Sequence, residues 1–235
     1  MSHRSIRKLF QKTGFDFHRH RPEPNKLAWL RALNVQTVLD VGANIGQFAR
    51  EVRAVLPTAF IYSFEPLKSC FDELSRNMLT DRNFKAYNFA LGAANETVTM
   101  NKSAYSPSSS ILAMSKSHKD LFPQTQNSSQ EEIAIKRLDD IAEFDPAKLN
   151  REILVKIDTQ GFEEKVIRGA TKFLKQTKVM IVENSYLPLY EGQALFDGIY
   201  QQLKALGFAY HGSLQQKVNP KSGEILFEDS FFVRD

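Results

Sequence analysis

The chain has 235 residues, 42% of them hydrophobic and 25% charged, with a formal net charge of +4. These are ordinary globular values, and the length suits one α/β domain with additions and a real core. One cysteine, Cys70, excludes an internal disulfide, and no apolar run approaches the length of a membrane helix.

The charge is unevenly placed. Residues 1–26 hold seven Lys/Arg and two acids, a net of +5, so the remainder is close to neutral. The opening M-S-H-R-S-I-R-K-L-F lacks the apolar stretch of a secretory signal, and a cytoplasmic location is expected. Residues 1–33 read as a basic N-terminal helical arm. Such an arm could touch an acidic partner or a membrane surface peripherally, although a solvated terminus explains the same charge. The rest of the chain has no basic face with interleaved aromatics, so no nucleic-acid partner is expected.

In chain order, Ser2 to Lys12 predicts a short amphipathic helix with Ile6, Leu9 and Phe10 on one side. A loop follows, closed by Pro22 and Pro24, in which His18 and His20 read as surface residues. Asn25 to Leu33 predicts a second helix with Leu27, Trp29, Leu30 and Leu33 toward the core.

Thr37 to Phe48, T-V-L-D-V-G-A-N-I-G-Q-F, organises the chain. Val38, Leu39 and Val41 predict a buried strand, Gly42 and Gly46 a turn, and Phe48, Ala49, Val52 and Val55 a helix. Strand, glycine turn and helix bring backbone N–H groups up to a nucleotide-like ligand, and neither glycine carries a side chain to block it. The spacing fails the G-x-G-x-x-G dinucleotide pattern, because Asn44 and Gln47 stand at the second and third glycine positions. No Gly-Lys-Ser/Thr of a phosphate-binding loop is present. An acid, Asp40, two residues before the first glycine repels phosphate and suits a cationic ligand such as S-adenosylmethionine.

Phe60 to Pro66 predicts strand two, ending in Glu65. This acid lies 19 residues past Gly46, near the spacing at which an acid meets ribose hydroxyls. A helix over Leu67 to Leu79 places Cys70 in packing. Phe84 to Leu91 predicts strand three, with Asn88 near an adenine, and Glu96 to Met100 an extra edge strand. Residues 101–130 are rich in Ser, Gln and Asn and read as a polar insert and candidate lid, with a lone His118. Glu131 to Ile135 reads as a strand and Leu138 to Phe144 as a short helix.

Ile153 to Gly161, I-L-V-K-I-D-T-Q-G, predicts a buried strand ending in Asp158, then a helix over Phe162 to Gln176. Glu163 and Glu164 fall in that helix's first turn, where the helix dipole favours acids. Lys178 to Asn184 predicts strand five, ending in Glu183 and Asn184, and Leu195 to Leu206 a helix. Phe208 to Gly212 and Ser230 to Arg234 predict a closing hairpin, so the sheet ends antiparallel. Asp40, Glu65, Asp158 and Glu183 thus stand at four strand ends, with Asn88 between. Helix capping explains any one of these acids but four poorly. Open α/β sheets bind ligands at that edge.

With these motifs assembled, the chain resembles the FkbM-type family of class I S-adenosylmethionine-dependent methyltransferases. The resemblance rests on V-L-D-V-G-A-N-I-G-Q-F, F-E-P at Phe64 to Pro66, N-F-A-L-G at Asn88 to Gly92, K-I-D-T-Q-G-F-E at Lys156 to Glu163, and the terminal F-F-V-R. A softer match is the serine run before Ile111. It covers about residues 34–235, which form the expected methyltransferase domain; substrate choice is expected in the parts outside the pattern. The resemblance implies a Rossmann-like, seven-stranded, mostly parallel sheet with helices on both faces. It also implies methyl transfer to a hydroxyl of a sugar, glycolipid or secondary-metabolite acceptor, a small molecule or carbohydrate. Carried over by position, Gly42, Ala43, Asn44 and Gly46 form the cofactor loop. Asp40 faces the methionine end, Glu65 the ribose, Asn88 and Ala90 the adenine side, and Asp158 the transferred methyl.

A positioned carboxylate can take the hydroxyl proton as transfer proceeds. Asp158 is the first candidate, Glu183 the second and His118 a third. Asp158, Glu183 and Asn184 also offer hard oxygen ligands, so a divalent metal such as Mg²⁺ is a further expectation to test. Three rivals stand beside this reading. They are an NAD-type dinucleotide-dependent oxidoreductase, a non-catalytic S-adenosylmethionine-binding module, and methylation of nucleic acid or protein. The last lacks the Asn/Asp-Pro-Pro-aromatic segment expected for amino-group methylation.

Overall fold

The structure is a computed structural model that describes residues 25–103, 106–125, 128–145, 148–149 and 152–234. The expected helix Ser2–Lys12 and the pair His18 and His20 lie outside the described residues. A 3-10 turn, Ala28–Leu33, is followed by β1 (Thr37–Val41), α1 (Gln47–Val55), β2 (Phe60–Phe64), α2 (Lys68–Asn77) and β3 (Phe84–Tyr87). Next come β4 (Ala90–Leu91), β5 (Glu96–Ser103), α3 (Lys116–Leu121), β6 (Ser128–Lys136) and β7 (Ile153–Ile157). The chain closes with α4 (Glu163–Gly169), α5 (Thr171–Leu174), β8 (Val179–Ser185), α6 (Phe196–Ala205), β9 (Ala209–Val218) and β10 (Ile225–Val233).

Seven strands form the main sheet in the order β3-β2-β1-β7-β8-β10-β9. The pairs from β3 through β8 are parallel, and β10 runs antiparallel to β8 and β9. The central strands are apolar on both faces because helices cover both. Leu39, Val155, Ile157 and Val182 face Val166, Ile167 and Leu203 of α4 and α6. Val38, Leu154 and Ile181 face Ala49 and Val52 of α1 and Leu30 of the 3-10 turn. Each such fully buried aliphatic side chain contributes about 1.5–3 kcal/mol over an exposed one. The strand order reverses between β1 and β7. The loops leaving these two strands therefore diverge and open a crevice at the carboxyl edge. No helix among the described residues is long and apolar enough to cross a membrane.

Three expectations are corrected. Strand three divides: β3 stays in the main sheet, while β4 joins a second, three-stranded sheet in the order β4-β6-β5. The cause is local. The Asn88 amide donates to the carbonyls of Glu65 and Pro66 at 3.0 and 2.8 Å, which ends pairing with β2 and turns the chain away. The helix expected over Phe162 to Gln176 breaks after Gly169. A Cβ on Gly169 would fall 1.8 Å from the Gly92 carbonyl oxygen, and the Asp139 carboxylate accepts from Lys172 N and Phe173 N at 2.9 and 3.0 Å, starting a new helix there. Leu138 to Phe144 forms two 3-10 turns in place of one helix.

Residues 101–130 are also more built than a polar loop. They hold the end of β5, a 3-10 turn at Ser106–Ser108, α3, a turn at Pro123–Thr125 and the start of β6. Asn101 pairs with Ser110 across a bridge, which folds the serine run back over the carboxyl edge of the main sheet.

Candidate active site

A cavity of about 280 Å³ lies at that edge, between the loops after β1, β2 and β7 and beneath the serine run. One end is apolar, walled by Ala90, Leu91, Met100, Ile111 and Phe162. The other end is polar, with Lys26, Glu51, Lys156, Asp158 and Asp229. Gly42, Ala43, Asn44 and Glu65 line the middle.

The loop after β1 is shaped by the chain's own packing. Gly42 has φ +81°, and a Cβ there would sit 1.9 Å from the Asp158 carbonyl oxygen. Gly46 has φ +88°, and its missing Cβ makes room for Leu74 of α2, 2.8 Å away. Both glycines therefore serve close approach of two chain segments, beyond leaving room for a ligand, and Gly46 does not line the cavity. Between them Asn44, at φ 48°, turns its N–H onto Glu65 Oε2 at 2.9 Å. Leu67 N donates to the other oxygen, Oε1, at 2.9 Å. Glu65 is 5% exposed, and burial raises its carboxyl to about 7 against the opposing pull of these two bonds.

Asp40 lies beneath the floor and does not line the cavity. It is fully buried; Oδ2 accepts from Ser63 Oγ at 3.3 Å, and Oδ1 has no hydrogen-bond partner. Burial raises it to about 6, with Lys156 opposing. Asn88 braces the loop after β2 through the two carbonyls already described and stays out of the cavity wall, whereas Ala90 is part of it.

The polar end is a row of charges. Side chains alternate along a strand, so Asp40, Lys156, Glu183 and Asp229 share the sheet face covered by α1. Register sets Asp40 beside Lys156 and Glu183 beside Asp229. The Lys156 ammonium binds Asp158 Oδ2 at 2.9 Å. Burial works against its charge, but Asp158, Asp40 and Asp229 outweigh that and hold it above its ordinary value. Gln160 Nε2 lies 2.8 Å from Asp158 Oδ1 and 2.7 Å from Glu183 Oε2. Burial, then the charges of Asp158, Glu163 and Asp229, push the Glu183 carboxyl well above its usual range, with Lys156 opposing.

The loop after β7 is folded by Glu163. Its Oε1 accepts from Thr159 N, Thr159 Oγ1 and Gly161 N at 2.8, 3.1 and 3.1 Å. That carboxylate is buried and raised to about 7 by desolvation. This loop holds Gln160 at φ 54°, a left-handed conformation costing a non-glycine residue about 1–2 kcal/mol.

His118 is corrected as a candidate base. It is 3% exposed, its Nε2 lies 3.0 Å from Thr125 Oγ1, and its ring packs against Tyr190 and Phe122 outside the cavity. Burial lowers its proton affinity. Cys70 is buried in α2, as expected, and its side of that helix borders the cavity. Among the described residues no group of three or more His, Cys, Asp or Glu could hold a metal ion. The Lys156 ammonium, 2.9 Å from Asp158 Oδ2, repels a cation there, so Asp158, Glu183 and Asn184 fit a divalent ion poorly. Sequence reasoning did not assign Lys156, Asp229 or Tyr190, nor a bridging role to Gln160. Lys156 was findable from its place two residues before Asp158 on a strand. Asp229 and Tyr190 carried no local signal.

The chain matches the family model described as the methyltransferase FkbM domain over residues 40–210. It is 29% identical over 191 residues to the methyltransferase sdnD of Sordaria araneosa, covering 72% of this chain and 70% of that relative. It is 28% identical over 162 residues to the 2-O-methyltransferase NoeI of Sinorhizobium fredii, covering 66% of each. The crystal structure of the methyltransferase FkbM from Methylobacillus flagellatus KT superposes with a TM-score of 0.52 at 12% identity. That superposition covers 90% of this chain but 48% of the other, so the chain spans about half its length. The chain belongs to the FkbM methyltransferase family, whose methyl donor is S-adenosylmethionine.

Proposed function

We propose, from this membership, that the protein transfers the donor's methyl group to a hydroxyl of a small-molecule or carbohydrate acceptor, with residues 34–235 as the catalytic domain and the serine run as its lid. One observation carries the reading: a single cavity joins Glu65, a carboxylate suited to a ribose, to Asp158, a carboxylate suited to an acceptor hydroxyl and backed through Gln160 by Glu183, which does not line the cavity.

The residues fit the donor. Each Glu65 oxygen accepts one backbone N–H and keeps a further lone pair for the two ribose hydroxyls. Ala90, Leu91 and Phe162 offer an apolar slot to the adenine, and Gly42, Ala43 and Asn44 form the adjoining loop. The Asp40 charge beneath favours the cationic methionine end. When bound, S-adenosylmethionine supplies an electrophilic methyl group. The chain's own task is to orient the acceptor and take up its proton.

Asp158 lines the cavity and is the point of contact for the acceptor hydroxyl. Lys156 and Gln160 fix its orientation, which favours a reactive geometry. Glu183 stands behind Gln160 with a raised proton affinity. Asp158 takes up the proton of the hydroxyl as transfer proceeds. The 2-O-methyltransferase relative supports the choice of oxygen as acceptor atom.

The test is incubation of purified protein with methyl-labelled donor and fractionated cell extract, then a panel of glycosides. Label on a hydroxyl oxygen is the expected result. Label on nitrogen or carbon would remove the O-methyl assignment. Absence of heat on adding S-adenosylhomocysteine in calorimetry would remove the donor site.

A further inference from the structure

We infer that Gln160 and Tyr190 form a positioning pair that sets the orientation of Asp158 and the proton affinity of Glu183; as a catalytic device this rests on the function proposed above. Neither residue needs to touch the reacting atoms.

The geometry fixes which way the Gln160 amide points. The Asp158 carboxylate, ion-paired with the Lys156 ammonium, only accepts hydrogen bonds, so the group that lies between Asp158 Oδ1 and Glu183 Oε2 is the NH₂, which donates toward both. The amide oxygen then faces away and accepts from the Tyr190 hydroxyl at 2.8 Å. That phenol is held protonated, because burial and the charges of Glu183, Glu163 and Asp158 raise it above its usual range. Rotating the amide by half a turn would set its oxygen against the Asp158 carboxylate and leave the Tyr190 hydroxyl without this acceptor. The hydroxyl therefore locks the amide.

Both anchors are firm. Tyr190 is 2% exposed, and a Cβ on Gly161 would meet its Cβ at 3.0 Å, so only glycine allows the ring this close to the loop. The Gln160 carbonyl accepts from Ser110 Oγ at 2.6 Å, and Ser110 is 1% exposed. The serine run thus holds the backbone of Gln160 while Tyr190 holds its side chain. The charged groups acting on Glu183 are Asp158 and Lys156 from β7 and its loop, Glu163 from α4 and Asp229 from β10. Among the described residues, only Gln160 bonds to both carboxyl groups. Donation to an ionised carboxylate lowers its proton affinity, so loss of this donor raises it.

The experiment is a carbon-13 carboxyl NMR titration of the full chain, wild type against Tyr190→Phe and Gln160→Met, with calorimetric binding of S-adenosylhomocysteine in parallel. Tyr190→Phe keeps the ring and removes the lock, together with one long contact of the hydroxyl with the Ser108 carbonyl at 3.5 Å. Both variants are expected to move the Glu183 midpoint upward by about half to one pH unit, with cofactor-product affinity within about threefold of wild type. A purely structural role would lower the melting temperature and leave the midpoint in place. An unmoved midpoint in folded Tyr190→Phe overturns the inference, even if Gln160→Met fails to fold. Failure of the wild type to bind S-adenosylhomocysteine would instead remove the proposed function, so the two failures are distinguishable.

Discussion

Glu65 and the Asp158–Glu183 pair stand at the same edge of one sheet, yet they are held by different means. Glu65 is gripped by two backbone N–H groups, those of Asn44 and Leu67. Asp158 and Glu183 are gripped by side chains, an ammonium and an amide, and the amide depends in turn on a tyrosine from another loop. A backbone grip follows wherever the fold forms. A side-chain grip fails with any member of its chain, and its effects spread. The donor end should therefore respond locally to substitution, and the acceptor end as a network.

The contrast is sharpest at Asp158. Asp158→Asn should lower methyl transfer by roughly 10²- to 10⁴-fold while leaving S-adenosylhomocysteine affinity within a few-fold, as label transfer and calorimetry would show. Unchanged turnover would take Asp158 out of the chemistry. Next is the glycine that lets the two ends meet. Gly42→Ala drives a methyl group onto the Asp158 carbonyl at a positive φ, and should destabilise the fold by about 3 kcal/mol in urea unfolding. A neutral result would mean that the loop after β7 yields easily.

Glu65 offers a smaller, purely local effect. Its carboxyl is raised to about 7, and donation from ribose hydroxyls favours the ionised form. Affinity for S-adenosylhomocysteine should therefore rise by about tenfold from pH 6 to pH 8, and Glu65→Gln should flatten that slope. A slope that survives the substitution would assign the pH dependence elsewhere. A separate effect is the pH dependence of ligand-free stability. Asp40, Glu65 and Glu163 are raised to about 6, 7 and 7, so near neutral pH the folded state holds more protons than the unfolded one. Their contribution is full below their ordinary values and is lost as pH rises through about 6–7. The melting temperature should fall from pH 5 to pH 8; a rise would mean that other groups dominate. The smallest effect is that of EDTA. Because the Lys156 ammonium beside Asp158 repels a cation, turnover should be unchanged after chelation, and a loss restored by Mg²⁺ would reverse that view.

Much of this was legible in the sequence because it is local. β-branched runs at 37–41, 153–157 and 179–185 state their burial by composition, and the glycines state the turns. The strand-end acids could be read because a strand's length fixes where it stops. What misled was local pattern without its partner. The apolar run 84–91 reads as one strand, and only the Asn88 contacts with Glu65 and Pro66 divide it. A helical period runs through 162–176, and only distant contacts, Gly169 against Gly92 and the Asp139 carboxylate on Lys172 and Phe173, break it.

By itself, then, the sequence determined the α/β class, the crevice edge and the residues carrying negative charge there, since propensity and periodicity act over a few residues. Tertiary structure alone decided which of those acids faces the cavity, which lies beneath it, and which are joined. Asp229 reaches Glu183 only through antiparallel pairing of β10 with β8, and Tyr190 reaches Gln160 only by loop packing. The proton affinity of a carboxyl group depends on burial and on neighbours a few ångströms away, and those neighbours come from distant parts of the chain.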